Sequence, residues 1–247
     1  MRKFLTSFAL VGALALTIAV GVAFASPIGY HLFGDATIVA GEHPGNGNSV
    51  KLTSDVSPGY GGIDFDIASG MTFAQLDMLA TDYKFEADDS CGGGSPRFQV
   101  NVTNGTDTGN IFVYIGPPPA YTLCPPNVWL NTGDLLEGVN PIDTSQLDLG
   151  TFYDPYATAL AKYGSYIVTG VQLVADGSWF FPFPDDGEQT VFIDNTNIDG
   201  TIYTYDEKGH PATKDDCKNG GWMNFVKDDG SAFKNQGDCV SYVNNGK

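Results

Sequence analysis

Residues 166–198 read YIVTGVQLVAD, then GSWFFPFPDDGEQ, then TVFIDNTNI, and this succession of strand, aromatic loop and strand decides the fold class. In the first run Ile167, Thr169, Val171 and Leu173 alternate with Val168, Gly170, Gln172 and Val174, the two-residue period of a strand. Both flanking runs are core candidates. The loop between them carries Trp179, Phe180, Phe181 and Phe183, more aromatic surface than a connector needs, and is the first place to expect ligand contact. Beyond Ile198, Asp199-Gly200 leads into TIYTY, a hairpin signal.

Working outward, residues 36–67 alternate β-prone runs with turns: ATIVAG, GEHPGNGN, SVKLT, SPGYGG and IDFDI. Strands at such close spacing predict a sandwich or barrel. In IDFDI the residues Ile63, Phe65 and Ile67 share a face, with Asp64 and Asp66 on the other. Met71 to Tyr83 fits both a helical stripe (Phe73, Leu76, Leu79, Tyr83) and strand alternation (Ala74, Leu76, Met78, Ala80), leaving a short helix and an irregular strand both open. RFQVNVT and NIFVYIG predict a hairpin, and PPPAYTLCPP an exposed rigid loop. One helix is expected over 154–163, with Asp154 as N-cap, Pro155 in the first position and Gly164 after the end.

The chain opens with Arg2 and Lys3, runs apolar from Phe8 to Ala25, and then meets Ser26 and Pro27. Residues 1–25 read as a secretory signal peptide with a cleavage site at Ala23-Phe24-Ala25, although the length of the apolar run also allows an uncleaved anchor. No later stretch is apolar enough to span a bilayer, so the mature chain is expected to be secreted or held at the cell surface. A formal charge of −17 without a basic stripe argues against nucleic acid and anionic membranes as partners. It suits calcium, a neutral polysaccharide, or solubility alone.

Four cysteines in an exported chain, Cys91, Cys124, Cys217 and Cys239, imply two disulfides. Three connectivities are open; pairing Cys91 with Cys124 and Cys217 with Cys239 is favoured because each pair then staples one compositionally distinct region. Residues 26–206 hold 23 acids against 4 basic residues, whereas 207–247 hold 6 of each. With EKGHP as linker, that shift predicts a β-sandwich over 26–206 and a small disulfide-stapled C-terminal module over 207–247. The module carries two helix starts, Thr213 with Asp216 and Asn235 with Asp238.

Among candidate sites, Trp179, Phe181 and Trp129 could stack on sugar rings, or else pack the end of the sandwich. Arg97, the one arginine after the signal, stands near Asp88 and Asp89; it could form a polar ligand site there or simply neutralise an acidic patch. Asp64 and Asp66 share a strand face at roughly 7 Å, a spacing compatible with inverting glycosidase carboxylates and equally with a solvated face. Asn195, Asn197, Asp199 and Asp206 imitate a calcium loop, but Asp199-Gly200 is already explained as a turn. His31, His43 and His210 share no metal spacing with the cysteines, DDSCGGGSP lacks the ending of a phosphate loop, and no nucleophile elbow occurs.

TGVQLVADGSW and QTVFIDNTNI resemble the last strands of the jelly-roll carbohydrate-binding modules of secreted glycan-degrading systems. The resemblance implies a jelly-roll sandwich and a structural calcium held by Asp194, with Asp35 or Glu42 as partners. YGGIDF, DDSCGGGSPRF, GTFYDPYA and the tail KDDCKNGGW…FKNQGDCVSYV also look like a recurring set of uncharacterised secreted bacterial proteins, which implies a shared architecture and no activity. The expectation is an all-β, jelly-roll-like antiparallel β-sandwich with one short helix and a stapled tail, binding a neutral glycan without catalysis. A glycoside hydrolase or lyase using paired aspartates, and a structural cell-envelope protein, are the alternatives.

Overall fold

Alternating apolar positions assemble two antiparallel sheets that bury their facing sides against each other. The computed structural model of the chain describes residues 29–44, 47–55, 59–137, 140–176, 188–206, 210–211, 213–227 and 231–245. The expected signal peptide and the aromatic loop with Trp179 and Phe181 lie outside the described residues. The strands are β1 (Tyr30–Gly34), β2 (Ala36–Ala40), β3 (Asn48–Ser54), β4 (Tyr60–Phe65), β5 (Leu79–Phe85), β6 (Arg97–Thr103), β7 (Thr108–Tyr114), β8 (Leu130–Asn131), β9 (Pro141–Ile142), β10 (Asp154–Pro155), β11 (Ile167–Asp176), β12 (Gln189–Ile198) and β13 (Thr201–Tyr203). Among the described residues there are two α-helices, α1 (Tyr156–Tyr163) and α2 (Gln236–Asn244), and short 3₁₀ turns at Phe73–Gln75 and Gly221–Asn224.

One sheet runs β1-β4-β11-β6-β7 and the other β2-β3-β12-β5-β8, with β13 also paired to β12. The chain is thus a jelly-roll-like β-sandwich: its strand spacing left a sandwich or a barrel open, and the resemblance implied the jelly roll. In register across the first sheet, Ile63, Leu173, Phe98 and Val113 point inward. Val50, Leu52, Val191, Ile193, Tyr83 and Phe85 meet them from the second. Each such side chain, fully buried, contributes about 1.5–3 kcal/mol relative to exposure. Among the described residues no helix is long and apolar enough to cross a membrane.

Simple alternation misplaces the start of β11. A bulge between Val168 and Gly170 shifts the register, so Val168 is buried while Ile167 is 39% exposed, although Val171 and Leu173 face the core as expected. A bulge adds one residue to one strand and so exchanges the faces on its two sides. β12 carries a second irregularity between Asp194 and Asn197, where Asn195 adopts a left-handed backbone (φ 46°).

The ambiguous segment 71–83 divides into a 3₁₀ turn (Phe73–Gln75), closed by a capping box between Thr72 and Gln75, and β5. Asp154 is not the N-cap of α1; Pro155 holds that place. Asp154 instead pairs with Ile142 and, buried, accepts from Thr144 Oγ1 at 2.9 Å and Lys162 Nζ at 2.7 Å. The free side of β7 is closed by the same segment, since Phe112 and Asp143 exchange both backbone hydrogen bonds at 2.8 Å.

The disulfides are Cys91–Cys124 and Cys217–Cys239, the favoured pairing. In the tail, Cys217, Phe225, Phe233 and Cys239 form a buried cluster of their own. Asn235 caps α2 by accepting from Asp238 N at 2.9 Å, whereas the matching Thr213–Asp216 pair closes a turn rather than a helix.

Candidate functional site

The outward positions of the five-stranded sheet form two rows across its strands. His31, Asp64, Gln172, Gln99 and Phe112 lie in register on β1, β4, β11, β6 and β7. Beside them run Phe33, Gly62, Val174, Arg97 and Tyr114, and one step further Tyr60 opposite Asp176. Four inter-strand spacings make each row about 19 Å long. The composition is unusual for a solvated face: amides, a carboxylate, an imidazole and a guanidinium, with aromatic rings at both ends.

Local packing fixes these groups. The Phe33 ring lies over Gly62, where an added Cβ would come within 2.2 Å of it, so only glycine leaves room. The same ring stands 6.1 Å from that of Tyr60. Arg97 stacks 4.7 Å above Phe112, donates from Nη1 to Gly94 O at 2.9 Å and pairs through Nη2 with Asp176. The expected company of Asp88 and Asp89 is therefore replaced by Asp176: the β6–β11 pairing brings the end of β11 beside Arg97, while Asp89 accepts from Thr190 N at 2.9 Å. Among the described residues, Arg97 Nε and His31 Nδ1 are buried without a hydrogen-bond partner. Leaving such buried polar atoms unpaired costs free energy.

Burial holds the Asp64 carboxyl above the usual carboxylate range, opposed by a hydrogen bond from Gln172 and by His31. Asp66 lies past the end of β4, against Gly29 and 3.7 Å from His31 Nε2. In the window where folded Asp64 keeps its proton and the unfolded chain has lost it, raising the pH lowers stability. Asp64→Asn is accordingly expected to raise the unfolding temperature at about pH 7 and to change little near pH 3, where the carboxyl is protonated in the fold. Thermal unfolding at both pH values checks this; equal stabilisation at both would exclude the charge as cause.

Three other expected site residues meet on the opposite sheet. Asp194 faces Asp82 across β12 and β5, and His43 lies between them, Nε2 3.2 Å from Asp82 Oδ2 and Nδ1 3.5 Å from Asp194 Oδ2. Asn131 and Asn195 each donate to Asp82 at 2.7 Å, and Asn195 N donates to Asp194 Oδ1 at 2.7 Å. The Trp129 indole N–H donates to Glu42 O at 2.6 Å, its ring 4.5 Å from His43, and Lys84 pairs with Glu42 at 2.6 Å. The Trp129 ring, half-buried, thus lies against a polar cluster.

Asp35 is not brought to this cluster. Its backbone bonds to Tyr60 and Thr53, and Thr53 is opposite Thr190, four residues along β12 from Asp194. Calcium takes six to eight oxygens, whereas these carboxylates meet N–H donors and an imidazole. Among the described residues no three His, Cys, Asp or Glu side chains could share a metal ion. The residues present do not fit the expected ion. His43 is the residue that sequence reasoning missed; one histidine in a Gly-rich turn carries no spacing signal.

No protein-family model matches the chain, and no curated protein matches it. Among solved structures it is similar to the family 11 carbohydrate-binding module of the cellulosomal cellulase Lic26A-Cel5E of Clostridium thermocellum, at 16% identity over 80% of this chain and 99% of that one, TM-score 0.36. A second structure of a family 11 module from that organism, in complex with a beta-1,3-1,4-mixed-linked tetrasaccharide, matches at 14% identity over 71% and 90%, TM-score 0.34. An exo-beta-agarase matches at 15% identity over 71% of this chain and 23% of its own, TM-score 0.32. These similarities assign no residue a role; the site rests on its own side chains.

Proposed function

We propose that the chain is a secreted, non-catalytic binding protein that holds a neutral glycan on the outer face of its five-stranded sheet. The observation that carries this reading is the registered row His31, Asp64, Gln172, Gln99 and Phe112, bordered by Phe33, Tyr60, Arg97 and Tyr114. Sugars present hydroxyls that both donate and accept, together with apolar ring faces. Amides and a pinned guanidinium answer the first, and aromatic rings the second. The acidic chain disfavours polyanionic glycans, and its two disulfides fit an extracellular setting.

Affinity electrophoresis over soluble neutral polysaccharides tests this. The wild-type chain is expected to be retarded by at least one of them, and Gln172→Ala and Arg97→Ala to weaken binding about tenfold or more while remaining folded. No retardation on any polysaccharide, or retardation untouched by both changes, overturns it. Because burial shifts the Asp64 carboxyl upward, the direction a general acid needs, the same panel is assayed for reducing sugar. Release abolished by Asp64→Asn would replace the binding reading with a hydrolase.

A further inference from the structure

The row that ends at Tyr114 continues past the edge of the sheet. Tyr114, Tyr121 and Tyr153 form a tyrosine corner there. The Tyr114 ring is 5.4 Å from that of Tyr121 and 6.3 Å from that of Tyr153, and Tyr121 and Tyr153 are parallel within 6° at 6.4 Å. Two of the three are committed to the fold. Tyr114 donates to Asp143, Tyr121 donates to Pro141 O at 2.8 Å, and Tyr121 is buried. Tyr153 is 51% exposed, and its hydroxyl makes no hydrogen bond among the described residues.

Tyr153 is also held where it is. Its backbone is left-handed (φ 57°), a conformation that costs a side chain free energy and persists only when the surroundings impose it. The neighbours do so: Thr151 O accepts from Thr144 N at 3.0 Å, Thr151 N donates to Thr144 Oγ1 at 3.1 Å, and Asp154 is fixed by Thr144 and Lys162. A half-exposed aromatic ring on a strained but anchored loop is a preorganised surface, losing little freedom when something stacks on it.

We infer that Tyr153, backed by Tyr121, forms an outer subsite for one more sugar ring of the glycan that crosses the sheet. The Tyr153 ring is 6.3 Å from that of Tyr114, the residue opposite Arg97 at the β7 end of the row. The inference rests on the glycan reading above, and it adds a chain-length preference to it. Oligosaccharides short enough to end on the sheet do not reach Tyr153; longer ones do.

The test is isothermal titration with oligosaccharides of two to eight units released from the polysaccharide that retards the wild-type chain. The wild-type affinity is expected to rise at one step of the ladder, by about threefold to tenfold. Tyr153→Ala should lose that step and bind shorter oligosaccharides unchanged, and Tyr153→Phe should keep it. Tyr153→Gly separates binding from folding, because it relieves the left-handed backbone: its unfolding temperature should stay close to wild type while the step is lost. A step that survives Tyr153→Ala and Tyr153→Gly overturns the subsite alone. Equal weakening at every length by Tyr153→Ala also overturns it, since the residue would then act through the sheet. Absence of any retarding polysaccharide overturns the glycan reading and the subsite together.

Discussion

Replacing Cys217 and Cys239 together by serine is expected to unfold residues 213–245 and leave the thermal transition of the sandwich in place. Among the described residues the tail buries Cys217, Phe225, Phe233 and Cys239, with Trp222, Val240, Tyr242 and Val243 packed partly against them. A core of that size cannot offset the ordering of some thirty residues without a covalent staple. By loop-closure entropy a bridge spanning 22 residues contributes about 3 kcal/mol. The half-buried ion pair of Lys227 with Asp238 at 3.0 Å adds little beside it. Limited proteolysis followed by mass measurement reads the outcome: rapid trimming after Tyr205, with calorimetry of the remainder unchanged. A fall of many degrees in a single shared transition would refute the division between residues 26–206 and 207–247.

The second large effect is Leu173→Ala. Leu173 is fully buried at the centre of β11, with Ile63 on one neighbouring strand and Phe98 on the other. Loss of its side chain leaves a cavity that well-ordered strands on both sides cannot collapse into, at a cost of about 3–4 kcal/mol. For a domain of this size the unfolding temperature should drop by about 6–15 °C. Ile167→Ala, at a position that bare alternation places on the same face, should cost less than about 1 kcal/mol, because the bulge turns Ile167 to solvent. Similar losses for the two variants would contradict the register of β11.

That pair also marks how far the sequence could be read. β11, β12, the Asp199-Gly200 hairpin and the Arg97–Thr103 with Thr108–Tyr114 hairpin were legible, because a two-residue period and a turn are local properties. The disulfide pairing was legible because each bridge stays within one region. Bulges were not, since an extra residue in a strand is revealed only by what it pairs with. Asp154 looked like a cap because its neighbours suit a helix start; what claims it is Lys162 and Thr144. The sheet row was invisible for the same reason. Its members sit at positions 31, 64, 99, 112 and 172, and only the strand order β1-β4-β11-β6-β7 lines them up. Of these groups only Asp64, as half of a pair with Asp66, and Arg97, for its rarity, were singled out, and Arg97 was assigned different neighbours. Asp194 and Glu42, named together as calcium partners, and Trp129, chosen for sugar stacking, do meet, around a histidine that no pattern had marked.

The backbone exchange between Phe112 and Asp143 at the edge of β7 has a consequence for crowding. A protein that gathers on a polymer brings many copies side by side, which is the condition under which unpaired strand edges zip together into aggregates. Here the edge beside the aromatic end of the row is occupied by the chain's own segment. If the proposed glycan binding holds, copies gathered along one polysaccharide strand would meet an edge that Asp143 already pairs at Phe112.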